Sequence, residues 1–281
     1  MTVSGAATHD VLAAAYLAQR AKLAPPDDMW VNCAANFKPD FSAPVTAFGE
    51  RVASFFSAGD VLLDVGGGSG RVSLPLADRC REVICVDPSP AMGEVFETSA
   101  RDAGIRNARF VLGGWPETTG VDGDVTLVAH VTYFVTDIVP FVQRLNQATR
   151  RRVLIGLHSP PPPNLFAPFF KLARGEEQAL VPGLDELLAV LTELGIGAQV
   201  IDVGLAPQPV VAPGGTTREQ TVRGEVEGGI RLGWLKPGEA EAAAALFLEY
   251  FDELYVETDE GFRRRTSVDA RELIITWEAA R

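Results

Sequence analysis

Cationic side chains are scarce in this chain. Against 37 aspartates and glutamates stand 25 lysines and arginines, a formal net charge of −12 over 281 residues. An acidic chain repels phosphate backbones and anionic lipid, so neither nucleic acid nor a membrane is an expected partner. The densest basic run, Arg150-Arg151-Arg152, precedes an apolar stretch and reads as a solvated turn. Cysteine and histidine are rarer still: Cys33, Cys80, Cys85, His9, His130 and His158 are all there are. No C-x-x-C pair exists and the cysteine count is odd, which argues against a disulfide framework and for a reduced compartment. No set of these residues has metal-ligand spacing, so no metal site is expected. No apolar run approaches the ~20 residues of a membrane span. The N-terminus has no basic region followed by an apolar one, and the expected location is cytoplasmic.

Apolar residues, by contrast, make up 47% of the chain, ample for a core. The length gives a prior of about two domains, or one α/β domain with an insertion. From Val61 the pattern alternates. Short apolar strands are expected at Val61–Val65, Val83–Val86, Ala108–Leu112, Val125–Ala129 and Val153–Leu157. The intervening helices are expected over about Arg71–Arg79, Pro90–Ala103 and Ile138–Ala148. Repeated strand–helix units imply a doubly wound, mostly parallel sheet with the strand C-termini on one ligand-binding edge. Ahead of it, Asp10–Leu23 has helical spacing, with Asp10 as N-cap and Pro25-Pro26 as stop. A second helix is expected at about Val45–Phe56.

After the fifth strand, 158–164 reads as a stiff proline loop. A helix at Leu184–Leu194 and a sixth strand at Ala198–Val203 follow, then a helical excursion with helices at 215–232 and 238–255. Glu272–Trp277 reads as a final, antiparallel strand beside the sixth. The expected organisation is a helical segment over 1–44, a core over 45–205 and 266–281, and a helical cap over 206–265.

The chain is organised around Val61-Leu62-Leu63-Asp64-Val65-Gly66-Gly67-Gly68-Ser69-Gly70-Arg71. A buried strand ends in an acid and a run of glycines, the ordinary cradle for an adenine-containing ligand. A phosphate loop is excluded, because no Gly-Lys-Ser/Thr follows. A nicotinamide fingerprint would place its third glycine at position 71, where Arg71 stands.

The D-x-G-x-G-x-G spacing of Asp64, Gly66, Gly68 and Gly70 resembles the cofactor signature of the class I S-adenosylmethionine-dependent methyltransferases, and the likeness covers about Val45–Leu157. The resemblance implies a seven-stranded Rossmann-like sheet and S-adenosyl-L-methionine as cofactor. It places Gly66, Gly67, Gly68 and Gly70 against the cofactor and turns Asp64 toward the methionyl ammonium. Asp87, ending strand 2 before Pro88, would accept from the ribose hydroxyls, and Met92 would pack near the adenine. After strand 3 the family usually has an acid for the adenine amino group. Gly114 stands there, so backbone of Gly114 and Trp115, and the Trp115 indole, are the candidates. His130 ends strand 4 and is expected near the cofactor and as a general base. Tyr133 is a candidate polar contact to a small-molecule acceptor.

His158 ends strand 5 on the same edge. Trp30 and Phe37 could fold over the cofactor, and Phe166, Phe169 and Phe170 could form an apolar wall. A dehydrogenase, an aminopropyltransferase and a non-catalytic cofactor-binding protein stay open beside methyl transfer.

Overall fold

A computed structural model of the chain describes residues 4–23, 28, 30–206, 217–259, 261–267 and 269–279. Its helices are α1 (Gly5–Ala21), α2 (Ala47–Ala53), α3 (Pro90–Asp102), α4 (Ile138–Ala148), α5 (Ala167–Arg174), α6 (Leu184–Glu193), α7 (Arg218–Arg231), α8 (Ala240–Glu249) and α9 (Phe251–Leu254). The strands are β1 (Val61–Val65), β2 (Glu82–Asp87), β3 (Ala108–Leu112), β4 (Gly123–Ala129), β5 (Thr149–Ser159), β6 (Gln199–Leu205), β7 (Tyr255–Thr258), β8 (Gly261–Arg264) and β9 (Arg271–Glu278). Seven of them form one sheet in the order β3-β2-β1-β4-β5-β9-β6. The first five are parallel, and β9 runs antiparallel to both neighbours. The expected doubly wound α/β fold is the one that forms. Among the described residues, no helix is long and apolar enough to cross a membrane.

All five residues of β1 are buried, as a central parallel strand covered on both faces requires. On one face α4 and α6 bring Phe141, Leu145, Leu187 and Leu191 into one core with Leu63, Val65 and Ile155 of the sheet. On the other, Phe48 and Val52 of α2 pack with Leu62 and Leu154. Local capping agrees with the sequence. Ser89 accepts from the Met92 amide at the start of α3, with Pro90 at its first position, and Thr46 caps α2 through the Gly49 amide.

The final strand is antiparallel and beside β6, as expected, and several other details are corrected. The final strand lies inside the sheet, between β5 and β6, and β6 is the edge. Leu273, Ile274, Ile275, Thr276 and Trp277 are buried on both faces, while Val200 and Leu205 of β6 are exposed. A continuous apolar run marks the interior strand and the sparser run the edge. The helix expected from Arg71 is a turn followed by a short 3-10 helix, Leu74–Arg79. Asp10 sits inside α1, which begins at Gly5, and its carboxylate instead accepts from the Ile138 amide at 3.0 Å, capping α4 from across the fold. Pro25 and Pro26 lie outside the described residues. Of the expected proline loop, His158 and Ser159 belong to β5, and Pro162–Phe166 forms a 3-10 turn.

The excursion after β6 carries more than helices. Helices α7, α8 and α9 lead into the β7–β8 hairpin, so the end of the expected second helix is strand. Phe169 and Phe170 of α5 join Val222, Phe247, Phe251 and Tyr255 in a separate apolar cluster. This second small core fixes the cap over the C-terminal edge of the sheet.

Candidate active site

The loop after β1 bends back under itself through three residues with positive φ: Gly66 at 69°, Gly68 at 55° and Gly70 at 75°. Side chains other than glycine disfavour that region. A Cβ on Gly67 would collide with the Asp64 carboxylate, so the glycine is what lets the acid sit beneath the loop. Asp87, at the end of the neighbouring β2, holds the loop from the other side. Its Oδ2 accepts from the Gly68 amide at 3.0 Å and its Oδ1 from the Ser89 amide at 2.9 Å. Burial pushes the Asp64 carboxyl up to about 7; the nearby Ser73 hydroxyl opposes this and the charge of Asp87 adds to it. Burial also raises Asp87, against its two backbone hydrogen bonds.

Two cavities open on this edge. The first, about 470 Å³, is lined by Asp64, Gly66, Gly67, Gly68, Asp87 and Pro88, with Met92 and Trp115 farther along. The second, about 480 Å³, lies beneath the cap. Trp30, Phe37, Arg71, His130 and Phe134 line both, so they form the shared wall. The N-terminal segment is tied down to make that wall. Ser69 Oγ donates to the Phe37 carbonyl, and Asp28 accepts from Ser89 Oγ at 2.7 Å and from the Ala91 amide. Trp30 and Phe37 meet edge to face at 5.5 Å.

His130 follows β4 with φ at 63°, a conformation of order 1–2 kcal/mol unfavourable for a residue with a Cβ. Its amide donates to the Gly156 carbonyl of β5 at 2.8 Å. The strained turn stacks its ring on that of His158, with centroids 4.1 Å apart. Cross-strand register sets Glu272 of β9 directly opposite His158. One oxygen of Glu272 lies 3.5 Å from His130 Nε2 and 3.4 Å from His158 Nε2. Burial lowers His130 to about 4, partly countered by Glu272, so its imidazole is neutral at pH 7. Burial alone would raise Glu272, but the two neighbouring histidines outweigh it and hold the carboxyl at about 2.

These three residues are the one group among the described residues close enough to share a metal ion. They are brought together from β4, β5 and β9, which no sequence spacing reveals. A divalent cation there would sit beside the Arg71 guanidinium, which interacts electrostatically with both Glu272 and His130.

Other expected site residues are placed as follows. The Tyr133 hydroxyl lines the second cavity but accepts from the His158 amide at 2.6 Å, and burial raises its pKa, so the phenol stays neutral. Gly70 is outside the lining; a Cβ there would strike Leu74 and Phe96, so it serves the turn. Gly114 is also outside the lining, its carbonyl engaged by Thr118, while Gly113, Trp115 and Glu117 face the first cavity. The Trp115 indole N–H donates to the Phe141 carbonyl at 3.3 Å. Phe166 and Phe170 line the second cavity; Phe169 is buried in the core of the cap. Sequence reasoning missed Glu272, Glu117 and the arginines of the second cavity. Only Glu117, three residues beyond the expected acidic position, was within reach of a local reading.

Comparison with known proteins agrees with this geometry. Residues 62–152, from β1 into β5, match a family model described as a methyltransferase domain. That stretch of the chain is thus a methyltransferase domain. Its fold is similar to a putative methyltransferase from Bacillus halodurans C-125, with TM-score 0.55 and 13% identity over 84% of this chain and 98% of that one. It is also similar to a methyltransferase from Thiobacillus denitrificans solved with S-adenosyl-L-homocysteine, with TM-score 0.52 and 16% identity over 91% and 99%. Among curated proteins, 70 residues are 44% identical to the 23S rRNA (uracil(1939)-C(5))-methyltransferase RlmD of Aeromonas hydrophila. That match takes in 23% of this chain and spans 16% of the relative's length.

Proposed function

We propose that the protein transfers a methyl group from S-adenosyl-L-methionine to a small molecule held in the cavity beneath the cap. The observation that carries the reading is the pair of adjoining cavities with one shared wall, the first of them an acidic, glycine-floored cradle. Its residues fit the cofactor. Asp64 Oδ1 is buried with no donor among the described residues, as suits a carboxylate awaiting the methionyl ammonium. Asp87 stands at the strand end for the ribose hydroxyls, Gly66 and Gly68 let backbone approach closely, and Met92 and Trp115 supply apolar surface. Glu117 lines the cradle near Gly114, and we assign it the adenine amino group that an acid at 114 would otherwise take.

When bound, the cofactor supplies an electrophilic methyl group on a sulfonium whose departure needs no acid. The protein's part is then to position, exclude water and manage one proton. Trp30, Phe37 and Phe134 separate the reacting groups from solvent. His130, neutral and on the shared wall, takes the proton of a hydroxyl acceptor at Nδ1, which has no partner among the described residues, while its Nε2 side faces the Glu272 carboxylate, which stabilises the imidazolium. Tyr133 fixes the backbone of His158, which backs the His130 ring.

The rRNA-modifying relative raises a second class of acceptor. A chain of net charge −12 with a roofed cavity suits a small molecule better. The test is to incubate the protein with methyl-labelled cofactor and, separately, a small-molecule extract and total RNA. Label in the extract fraction alone supports the reading; label in RNA alone overturns it. Calorimetry with S-adenosyl-L-homocysteine and NAD tests the cradle itself, and failure to bind the first would remove the cofactor assignment.

A further inference from the structure

We infer that the acceptor is a small organic oxyanion, a carboxylate or phosphate carried on an apolar body. This rests on reading the cavity beneath the cap as the acceptor chamber. The chain as a whole is acidic, yet among the described residues that cavity is lined by Arg20, Arg71, Arg231 and Arg264, by His130 and His158, and by no aspartate or glutamate. The neighbouring cradle has the opposite balance: Asp64, Asp87, Glu117 and Asp137 line it, with Arg71 the one arginine among the described residues there. Charge is segregated by cavity, against the composition of the chain. The cradle that suits a cation is acidic, and the chamber beside it is basic.

The arginines come from four separate segments: α1, the loop after β1, the end of α7 and the β8 strand of the hairpin. They converge only in the fold, so they are not one solvated basic run. Their donors are also left waiting. Arg20 Nε, Arg264 Nη1 and the Trp234 indole N–H all belong to residues lining the chamber, are buried, and have no acceptor among the described residues. Buried N–H groups in that state call for an acceptor, and a guanidinium calls for an anionic one. Arg264 is partly neutralised by Glu225, which takes its Nε at 2.7 Å, but Nη1 is not used. Arg71 is steadied over the Phe37 ring at 5.6 Å, at the wall between the cavities.

An oxyanion offers two or three oxygens with several lone pairs, enough for these donors together. Trp30, Phe37, Phe134, Phe166 and Trp234 supply the apolar surroundings for the rest of the molecule. The volume of about 480 Å³ falls in the range of small-ligand pockets. A protonated amine or polyamine would face guanidinium groups on several sides, so the same geometry turns away cationic acceptors and disfavours aminopropyl transfer.

The test is calorimetry on the full chain with 3-phenylpropionate, phenyl phosphate, 3-phenylpropan-1-ol and 3-phenylpropylamine, each with and without saturating S-adenosyl-L-homocysteine. At least one oxyanion is expected to bind tenfold or more tighter than the alcohol, with the amine weakest. The preferred oxyanion tells carboxylate from phosphate. Arg231→Gln, at an exposed helix end, and Arg20→Gln should each weaken that oxyanion at least fivefold while S-adenosyl-L-homocysteine affinity stays within twofold, which also reports that the variants are folded. The inference is overturned if the alcohol or amine binds as tightly as both oxyanions, or if neither oxyanion binds a protein that binds S-adenosyl-L-homocysteine. Oxyanion binding without S-adenosyl-L-homocysteine binding would instead retire the methyl-transfer reading and with it the role of acceptor, while the oxyanion site beneath the cap would stand.

Discussion

Asp87 accepts a hydrogen bond from the Gly68 amide at 3.0 Å, so the acid that ends β2 holds the glycine loop that follows β1. One carboxylate therefore has two duties: it shapes the loop and, by the proposed reading, accepts from the ribose. Asp87→Ala removes both and should weaken S-adenosyl-L-homocysteine binding by about 1.5–3 kcal/mol, the scale of hydrogen bonds to a charged group. Asp87→Asn keeps the shape but can no longer accept from both the Gly68 and Ser89 amides, so it too should bind more weakly. Calorimetry decides. Unchanged affinity in a folded Asp87→Ala protein would take the residue out of the site.

Asp64 makes cofactor binding depend on pH. Its carboxyl, lifted to about 7 chiefly by burial, is only partly ionised in the free protein at neutral pH. An ammonium group needs the anion, so affinity should climb between pH 6 and 8, with a proton released on binding. Titrations near pH 7 in buffers of different ionisation enthalpy would detect that proton. In Asp64→Asn both the proton release and the pH dependence should vanish. The sign for stability runs the other way. The folded carboxyl titrates above its unfolded value, so the relative stabilisation is complete below about pH 4 and is lost as pH rises through about 7. Free Asp64→Asn should therefore gain melting temperature over the native protein at pH 8 and gain least at acid pH.

The cradle was legible because it is local. Asp64, the glycines and Asp87 follow from one strand–loop–helix unit and the end of the next strand, and the structure sets all but Gly70 around one cavity. The parallel strands were equally readable, since apolar runs of that length bounded by turn residues have few alternatives. What sequence missed is what the sheet order creates. Glu272 meets His158 because β9 inserts beside β5, and pairing across more than a hundred residues leaves no local trace. The β7–β8 hairpin was hidden for a different reason: Tyr255–Thr258 continues the apolar spacing of the preceding helices, and only pairing with Gly261–Arg264 makes it a strand. The basic chamber was invisible because its arginines are scattered from position 20 to position 264.

The proposed base can be tested against its neighbour. His130→Ala should lower methyl transfer to a hydroxyl acceptor by about 10²–10⁴-fold, the usual range for a lost general base. Cofactor affinity should change little. Burial holds the imidazole near 4, so it remains neutral above pH 5 and no activity should be lost to its protonation between pH 8 and pH 5. Glu272→Gln removes the carboxylate that stabilises the imidazolium and should slow the same step without changing substrate affinity. If rates of transfer survive both substitutions across this pH range, the acceptor loses no proton to His130.

Tyr133 gives a contrasting expectation. Its hydroxyl is already committed to the His158 amide, and its pKa is too high for a phenolate at neutral pH. Tyr133→Phe leaves that buried amide without its acceptor and should cost about 1–3 kcal/mol of folding stability, read as a lower denaturant midpoint. The pH profile of methyl transfer should keep its shape, as befits a positioning residue. A lost titration limb in the phenylalanine variant would instead assign proton transfer to the phenol.

Glu225 and Arg264 set a last expectation, on the cap. The Glu225 carboxylate has no exposed surface and takes Arg264 Nε at 2.7 Å, with the guanidinium 4.3 Å over the Phe166 ring. Two buried charges add little net stability over a packed apolar pair, but removing one strands the other. Glu225→Leu should therefore destabilise the protein by about 3–5 kcal/mol, whereas Glu225→Leu with Arg264→Met should recover most of the loss. Thermal or urea unfolding of the two variants measures this. The double variant separates the pair's structural duty from the proposed recognition of an oxyanion. It should melt close to the native protein and bind S-adenosyl-L-homocysteine normally, yet bind the oxyanion probe less tightly, because one of the four arginines has gone from the chamber.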